Sequence, residues 1–397
     1  MPKTLKTGAA LRSRPWRTRP NPWTPAEVRL TYLRPCPAGA PPRSKAVIPM
    51  SHTRATHLTR RGLLAAGGAL GLGAALAACG DDKGIGTDSG KAADSGKSGP
   101  WSFKDDRGTA VKLDKVPANI VAFTGVGAAL YDYGIQVKGV FGPTKTTAGK
   151  ADVQAGDMDI SKVTVLGNTW GQFSIEKYAA LAPDVLITTM FDNAGTLWYV
   201  PEESKKKIAQ LAPSVGISVY DRQLTQPLQR MWDLAESLGA DLKAAKVTDA
   251  KKRFEDAAAR LRAAAKAKPE IKVMAGSASD QLFYVSGTNL SIDLEYFKAL
   301  GVNFVEPPES AKKQGGGWYE SLSWENVDKY KADIIMMDDR SSAIQPADIS
   351  KATWKKLPAV KAGQVVGRSP EPILSYDKCV PLLTSLAEAL EKAKKVS

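Results

Sequence analysis

Residues 241–268 read DLKAAKVTDAKKRFEDAAARLRAAAKAK, a run with no Gly or Pro and dense in Ala, Lys, Arg and Glu. Ala250, Phe254, Ala257, Leu261 and Ala264 recur at helical spacing, and Pro269 stops the run. The spacing predicts one long helix. On either side, short apolar runs alternate with amphipathic stretches. The strand-like runs are Ile120–Phe123, Val137–Phe141, Val185–Thr189 and Ile217–Tyr220 before the helix. After it come Lys272–Ala275, Asp333–Met337 and Gln364–Gly367. Helical stretches lie between them at Ser174–Leu181, Ser204–Leu211, Pro227–Leu238, Ile292–Leu300 and Tyr376–Ala393. This alternation predicts an α/β chain of two lobes with mainly parallel sheets flanked by helices, joined by one long interdomain helix. The expected boundaries are 101–240 for the N-terminal lobe, 241–268 for the bridging helix and 269–397 for the C-terminal lobe. A helical spine without Gly predicts limited relative motion of the lobes.

Two short repeats link the lobes. Ser174-Ile175-Glu176 precedes Asp184-Val185-Leu186-Ile187, and Ser323-Trp324-Glu325 precedes Asp333-Ile334-Ile335 at the same offset. Each reads as a Ser N-cap, a two-turn helix with Glu in its first turn, a break and a buried strand. Similarly, Leu130-Tyr131-Asp132-Tyr133-Gly134-Ile135 echoes Phe297-Lys298-Ala299-Leu300-Gly301-Val302, where helix ends meet Gly. Two matches in the same order predict one architecture used twice.

In such sheets, ligand contacts sit beyond the C-terminal ends of the strands, facing the crevice between lobes. The residues there are Asn168-Thr169-Trp170, then Phe191, Trp198 and Tyr199, then Tyr220 and Arg222. In the second lobe they are Phe283, Tyr284, the bare loop Gly315-Gly316-Gly317 with Trp318 and Tyr319, then Arg340, Arg368 and Tyr376. Aromatic faces with a few Arg suit a bulky organic chelate whose oxygens carry partial negative charge.

The charge distribution carries its own message. The chain has 397 residues, with 55 Lys+Arg against 41 Asp+Glu and a formal charge of +14. Residues 1–78 hold 13 of those bases and one acid, Glu27, so 42 bases and 40 acids remain beyond them. A nucleic-acid partner is therefore not expected. Residues 59–79, TRRGLLAAGGALGLGAALAAC, join a cationic start to a 17-residue uncharged stretch too short and too weakly apolar to span a bilayer well. This is a secretion signal over 50–78, with Arg60-Arg61 resembling a twin-arginine export signal. Leu76-Ala77-Ala78-Cys79 resembles a bacterial lipobox, which makes Cys79 the lipidated mature N-terminus. Met50 opens the signal, so residues 1–49 read as a mis-annotated extension. Residues 79–100, dominated by Gly, Ser, Asp, Lys and Ala, read as a flexible tether.

Both histidines, His52 and His57, fall before Cys79. The mature chain has no imidazole base or ligand, which excludes Ser-His-Asp and Cys-His catalysis and argues against a free-zinc site. Gly276-Ser277-Ala278-Ser279 and Gly315–Gly317 lack the Lys-Ser/Thr ending of a phosphate loop. No enzyme activity is expected, leaving a secreted enzyme as the remote alternative and an adhesion or scaffold lipoprotein as a third class. Asp157-Met158-Asp159 reads as a solvated loop rather than a cation site, and Cys379 as a buried small hydrophobe.

An exported lipoprotein with this organisation resembles a type III substrate-binding protein of an ABC importer, in the vitamin B12 and ferric-siderophore group. The carrying segments are Val116–Val121, Val165–Gly167, Pro183–Val185, Leu322–Ile335 and Leu357–Val365, over about residues 101–396. The resemblance implies an exported, membrane-anchored, monomeric receptor without a cofactor. Its ligand would be an Fe(III)-siderophore, most simply of hydroxamate type, with cobalamin or haem as alternatives. Its partners would be ABC permease subunits with a cytoplasmic ATPase. In the family one exposed Glu per lobe docks on the permease, and the matching positions are Glu176 and Glu325. Where some relatives carry a first-lobe Arg, this chain has Trp170, so Arg222 and Arg340 are the expected substitutes.

Overall fold

The computed structural model describes residues 99–397. The start, signal, lipobox and nearly all of the tether lie outside these residues. Among the described residues no helix is long and apolar enough to cross a membrane.

An antiparallel hairpin, β1 (Trp101–Lys104) and β2 (Ala110–Leu113), opens the body. The first lobe follows: β3 (Ile120–Phe123), α1 (Thr124–Asp132), β4 (Gly139–Phe141), β5 (Thr164–Gly167), α2 (Ile175–Ala180), β6 (Val185–Met190), α3 (Lys205–Leu211), β7 (Ser214–Ser218) and α4 (Thr225–Ser237). Its five strands run in the order β5-β4-β3-β6-β7, every pair parallel. Helix α5 (Ala245–Ala267) is the bridge, with Ala250, Phe254, Ala257, Leu261 and Ala264 on its buried face. The second lobe contains β8 (Val273–Ala278), β9 (Leu282–Ser286), α6 (Ile292–Ala299), β10 (Tyr319–Ser323), β11 (Ile334–Asp338), α7 (Ala352–Lys356), α8 (Pro358–Lys361), β12 (Val365–Arg368) and α9 (Tyr376–Lys392).

The second sheet is mixed. Its order is β10-β9-β8-β11-β12, with β8, β11 and β12 parallel and β8-β9-β10 an antiparallel meander. Its parallel strands separate two cores with period two, as a pleat requires. Val273, Ala275, Ile334 and Met336 face the core shared with the first lobe and α5. Met274, Ile335 and Met337 face a second core with Phe283, Trp324 and Trp354. The shared core and α9, which lies along α5 and clamps it through the Arg260–Glu391 fork at 2.7 and 2.9 Å, tie the lobes together.

The repeats have physical meaning. Gly134 and Gly301 sit at φ 84° and 99°, and in both places the next N–H bonds back to a helix carbonyl: Ile135 to Leu130, Val302 to Phe297. These are matching glycine C-caps. Asp184 accepts the Ala118 and Asn119 N–H groups just before β3, at 2.9 and 2.8 Å. Asp333 likewise accepts the Lys272 N–H just before β8, at 2.8 Å. Each Asp pins the start of its strand to the neighbouring parallel strand. The echo departs elsewhere. Ser174 caps α2 through the Lys177 N–H, whereas Ser323 caps nothing and Trp324–Asn326 is a 3-10 turn, not a two-turn helix. Trp324 is buried against Phe283, a place a longer helix would pull it from. The strand expected at 217–220 lies at Ser214–Ser218, which leaves Tyr220 in the following loop.

Candidate functional site

The C-terminal ends of the first-lobe strands carry a cluster of rings. Beyond β6 the chain folds back on itself: Asp192 accepts the Ala194 and Thr196 N–H groups, and the Trp198 N–H returns to the Thr189 carbonyl at 2.9 Å. Tyr199 then adopts φ 59°, a left-handed conformation that a bulky residue rarely takes. Consecutive side chains in extended chain diverge, but this twist lets Trp198 and Tyr199 both meet Trp170, at 4.8 and 5.0 Å between ring centres. Phe191 packs on Trp198 at 4.6 Å and Phe123 on Tyr199 at 5.3 Å. Burial pushes the Tyr199 phenol well above its ordinary pKa, and the Glu371 carboxylate adds to this. Asn168 is structural: its amide holds Thr144 and Lys145 through three bonds of 2.7–3.0 Å.

From the second lobe Trp318 crosses the cleft, reaching Phe191 at 6.3 Å and Tyr220 at 6.5 Å. Its loop requires glycine, since a Cβ at Gly315 would stand 2.3 Å from the Tyr319 carbonyl oxygen. Arg340 follows β11 and is held by Asp338 through bonds of 3.0 and 2.7 Å and by Glu371. Burial lowers the guanidinium pKa, but Glu371 and Asp338 outweigh this and hold it above its usual value. Glu371 also accepts from the first lobe, from Trp198 Nε1 at 3.2 Å and Gln154 Nε2 at 3.1 Å. Asp152 of the first lobe bonds Ser341 of the second. Phe123, Phe191, Val219, Ile292, Glu371 and Pro372 line a small cavity of about 20 Å³.

Of the residues expected at the site, the structure brings together Trp170, Phe191, Trp198, Tyr199 and Trp318, with Arg340 linked to Trp198 through Glu371. Arg222 is exposed. Tyr284 and Phe283 belong to β9, not to a loop, so their side chains alternate across the sheet: Phe283 is buried, while Tyr284 packs on Tyr319 at 5.1 Å. Tyr376 opens α9 and is buried against Trp232 and Phe254, at 5.6 and 5.3 Å, so it belongs to the core beside α5 and not to this ring cluster. Arg368 is likewise structural, forked onto Asp293 at 2.7 and 3.0 Å with both side chains under 5 % exposed. Glu176 and Glu325 are both exposed. Asp157 pairs at 2.6 Å with Lys378, whose ammonium also meets Asp377 at 2.9 Å and Asp132 at 3.8 Å, so a lysine fills the midst of these acids.

The sequence reading missed Glu371, Gln154 and Asp152. Glu371 had a legible signal, a carboxylate between Pro370 and Pro372 just beyond a strand.

The periplasmic binding protein family model matches residues 120–371. Among solved structures, DesE, a ferric-siderophore receptor protein from Streptomyces coelicolor, is 79% identical. The match covers 75% of this chain and 100% of that one, with a TM-score of 0.74. Staphylococcus aureus SirA complexed with staphyloferrin B is 19% identical, covering 74% and 99% at a TM-score of 0.52, and shares the fold. So does the iron uptake ABC transporter substrate-binding protein PiuA from Streptococcus pneumoniae, at 19% identity, 74% and 98% coverage and a TM-score of 0.53. No curated protein matches the sequence. With two α/β lobes, one joining helix and these matches, the chain belongs to the periplasmic binding protein family, in its type III group.

Proposed function

We propose that this protein is an extracytoplasmic receptor, not an enzyme, that captures a ferric siderophore of hydroxamate type between its lobes. The observation that carries this reading is the ring cluster drawn from both lobes, with Trp318 set against Phe191 and Tyr220 across the cleft. Aromatic faces bury large area at low entropic cost and suit the apolar flanks of a chelate whose metal is wrapped in oxygen ligands. The 79% identity to a ferric-siderophore receptor protein supports the same assignment. In this reading a chelate enters by parting Trp318 from the first-lobe rings and Glu371 from Trp198. The shared core along α5 keeps lobe movement modest, so loops and side chains carry most of that change.

In this reading the mature chain starts at lipidated Cys79, is held on the outer face of the membrane by the 79–100 tether and acts as a monomer. It delivers its load to an ABC permease through Glu176 and Glu325. Calorimetric titration with ferrioxamine, ferrichrome, cobalamin and haem tests the ligand class. Tight binding of a ferric trihydroxamate is the expected result, and binding of cobalamin or haem alone would overturn it. Charge reversal at both Glu176 and Glu325 abolishes uptake with affinity intact. Lost affinity would contradict docking.

A further inference from the structure

Glu371 enters the cleft between two prolines, immediately beyond β12, with its side chain 10 % exposed. One carboxylate oxygen accepts from both Trp198 and Gln154 of the first lobe, and the other meets Arg340 of the second. Arg340 is already forked onto Asp338, whose side chain is 4 % exposed. Asp152, 3 % exposed, closes the same seam through Ser341. Two carboxylates, Glu371 and Asp338, therefore share one guanidinium, with Asp152 a further carboxylate in the seam, while Arg368 is cancelled by Asp293. Apart from Asp152, the opposite wall is aromatic. A surplus of negative charge in a largely dehydrated cleft is weakly screened and acts strongly on whatever enters.

We propose that Glu371 is the specificity-determining residue that excludes anionic iron chelates and admits uncharged or cationic ones; this rests on reading the cleft as a ferric-chelate site. The carbonyl oxygens of an uncharged ferric trihydroxamate accept from Trp198 Nε1 and Gln154 Nε2 in place of the Glu371 oxygen, and the chelate brings no charge. A ferric tricatecholate, of charge −3, must approach carboxylates that Arg340 already fails to balance, and like-charge juxtaposition of this kind costs several kcal/mol.

The test titrates the purified full chain, followed by its tryptophan fluorescence, with ferrioxamine E as the uncharged probe and a ferric tricatecholate as the anionic one. The wild type should favour the uncharged probe by about 100-fold or more. Glu371→Gln keeps the size and an acceptor but removes the charge. It should narrow that preference to about tenfold or less by tightening the anionic probe. Glu371→Asp, which keeps the charge but shortens the reach, should retain the wild-type preference. A preference equal in Glu371→Gln and wild type, or absent from the wild type, overturns the assignment. Should Glu371→Gln not fold, Glu371→Ala, which removes the charge and the bulk together, takes its place and should narrow the preference at least severalfold. An unchanged preference would again overturn it. Failure of both probes to bind the wild type would instead bring down the binding reading itself.

Discussion

The two walls of the cleft solve the same placement problem with opposite chemistry. Both are built beyond strand C-termini, yet the first lobe offers rings on rings, from Phe123 and Trp170 to Tyr199, while the second offers Asp338, Arg340 and Glu371 with Trp318 standing apart. Rings supply contact area without choosing a charge. Carboxylates and guanidinium choose a charge but contribute little area. On the proposed reading, the first lobe supplies most of the contact area and the second most of the discrimination by charge.

The sharpest way to break this comparison is with the two second-lobe arginines. Arg368 lies behind the wall in a fully buried fork with Asp293, so Arg368→Ala strands a buried charge and should cost about 3–5 kcal/mol in denaturant unfolding. Arg340 faces the cleft. Arg340→Ala strands Asp338 and Glu371 and should cost a comparable amount, but it should also weaken chelate binding about tenfold or more, which Arg368→Ala should not. Equal binding losses in the two variants would merge the two roles. On the first wall, Trp170 is half-buried, and Trp170→Ala should weaken an uncharged chelate about tenfold by calorimetry without changing the ratio between uncharged and anionic probes.

The repeated strand-pinning aspartates sharpen the comparison at the level of the lobes. Asp333 is buried and, beyond Lys272, receives the Val396 and Ser397 N–H groups and Lys395, whereas Asp184 is half-buried. Burial alone would raise the Asp333 pKa, but these donors outweigh it and hold the carboxyl well below the usual range. Its contribution is therefore complete above the unfolded value near 3.9 and is lost as pH falls below it. Asp333→Asn should lose about 1–3 kcal/mol at neutral pH and flatten the acid limb below about pH 4, with Asp184→Asn losing less than about 1 kcal/mol. The smallest effect concerns Cys379, which is fully buried and whose thiol burial pushes well above its ordinary pKa. Mass-spectrometric mapping should find it unalkylated in the folded protein and modified after unfolding.

Much of the fold was legible because period and punctuation carry it: the Gly-free run gave α5, and the glycine caps and strand aspartates betrayed the doubled architecture. The antiparallel meander was harder. β9 alternates buried and half-buried residues within five positions, and its aromatic pair resembled a loop signal. At the site, the rings were legible as post-strand aromatics. Tyr376 was misplaced because a helix start and a strand-end loop look alike in sequence, and only packing against Phe254 separates them. Glu371 went unread because its partners, Trp198 and Arg340, lie 173 and 31 residues away. Bonds between residues so far apart in the chain leave no local pattern.

The central claim is that the cleft between the lobes, lined by Trp170, Trp198 and Trp318, holds the ferric chelate. Its most direct test is fluorescence titration with ferrioxamine E of the wild type and of a variant with these three tryptophans replaced by Phe. Saturable quenching is expected in the wild type and loss of most of it in the variant; of the tryptophans the variant keeps among the described residues, Trp101, Trp324 and Trp354 lie in the cores and Trp232 lies by α5. Quenching undiminished in the variant, or absent from the wild type, would contradict the claim.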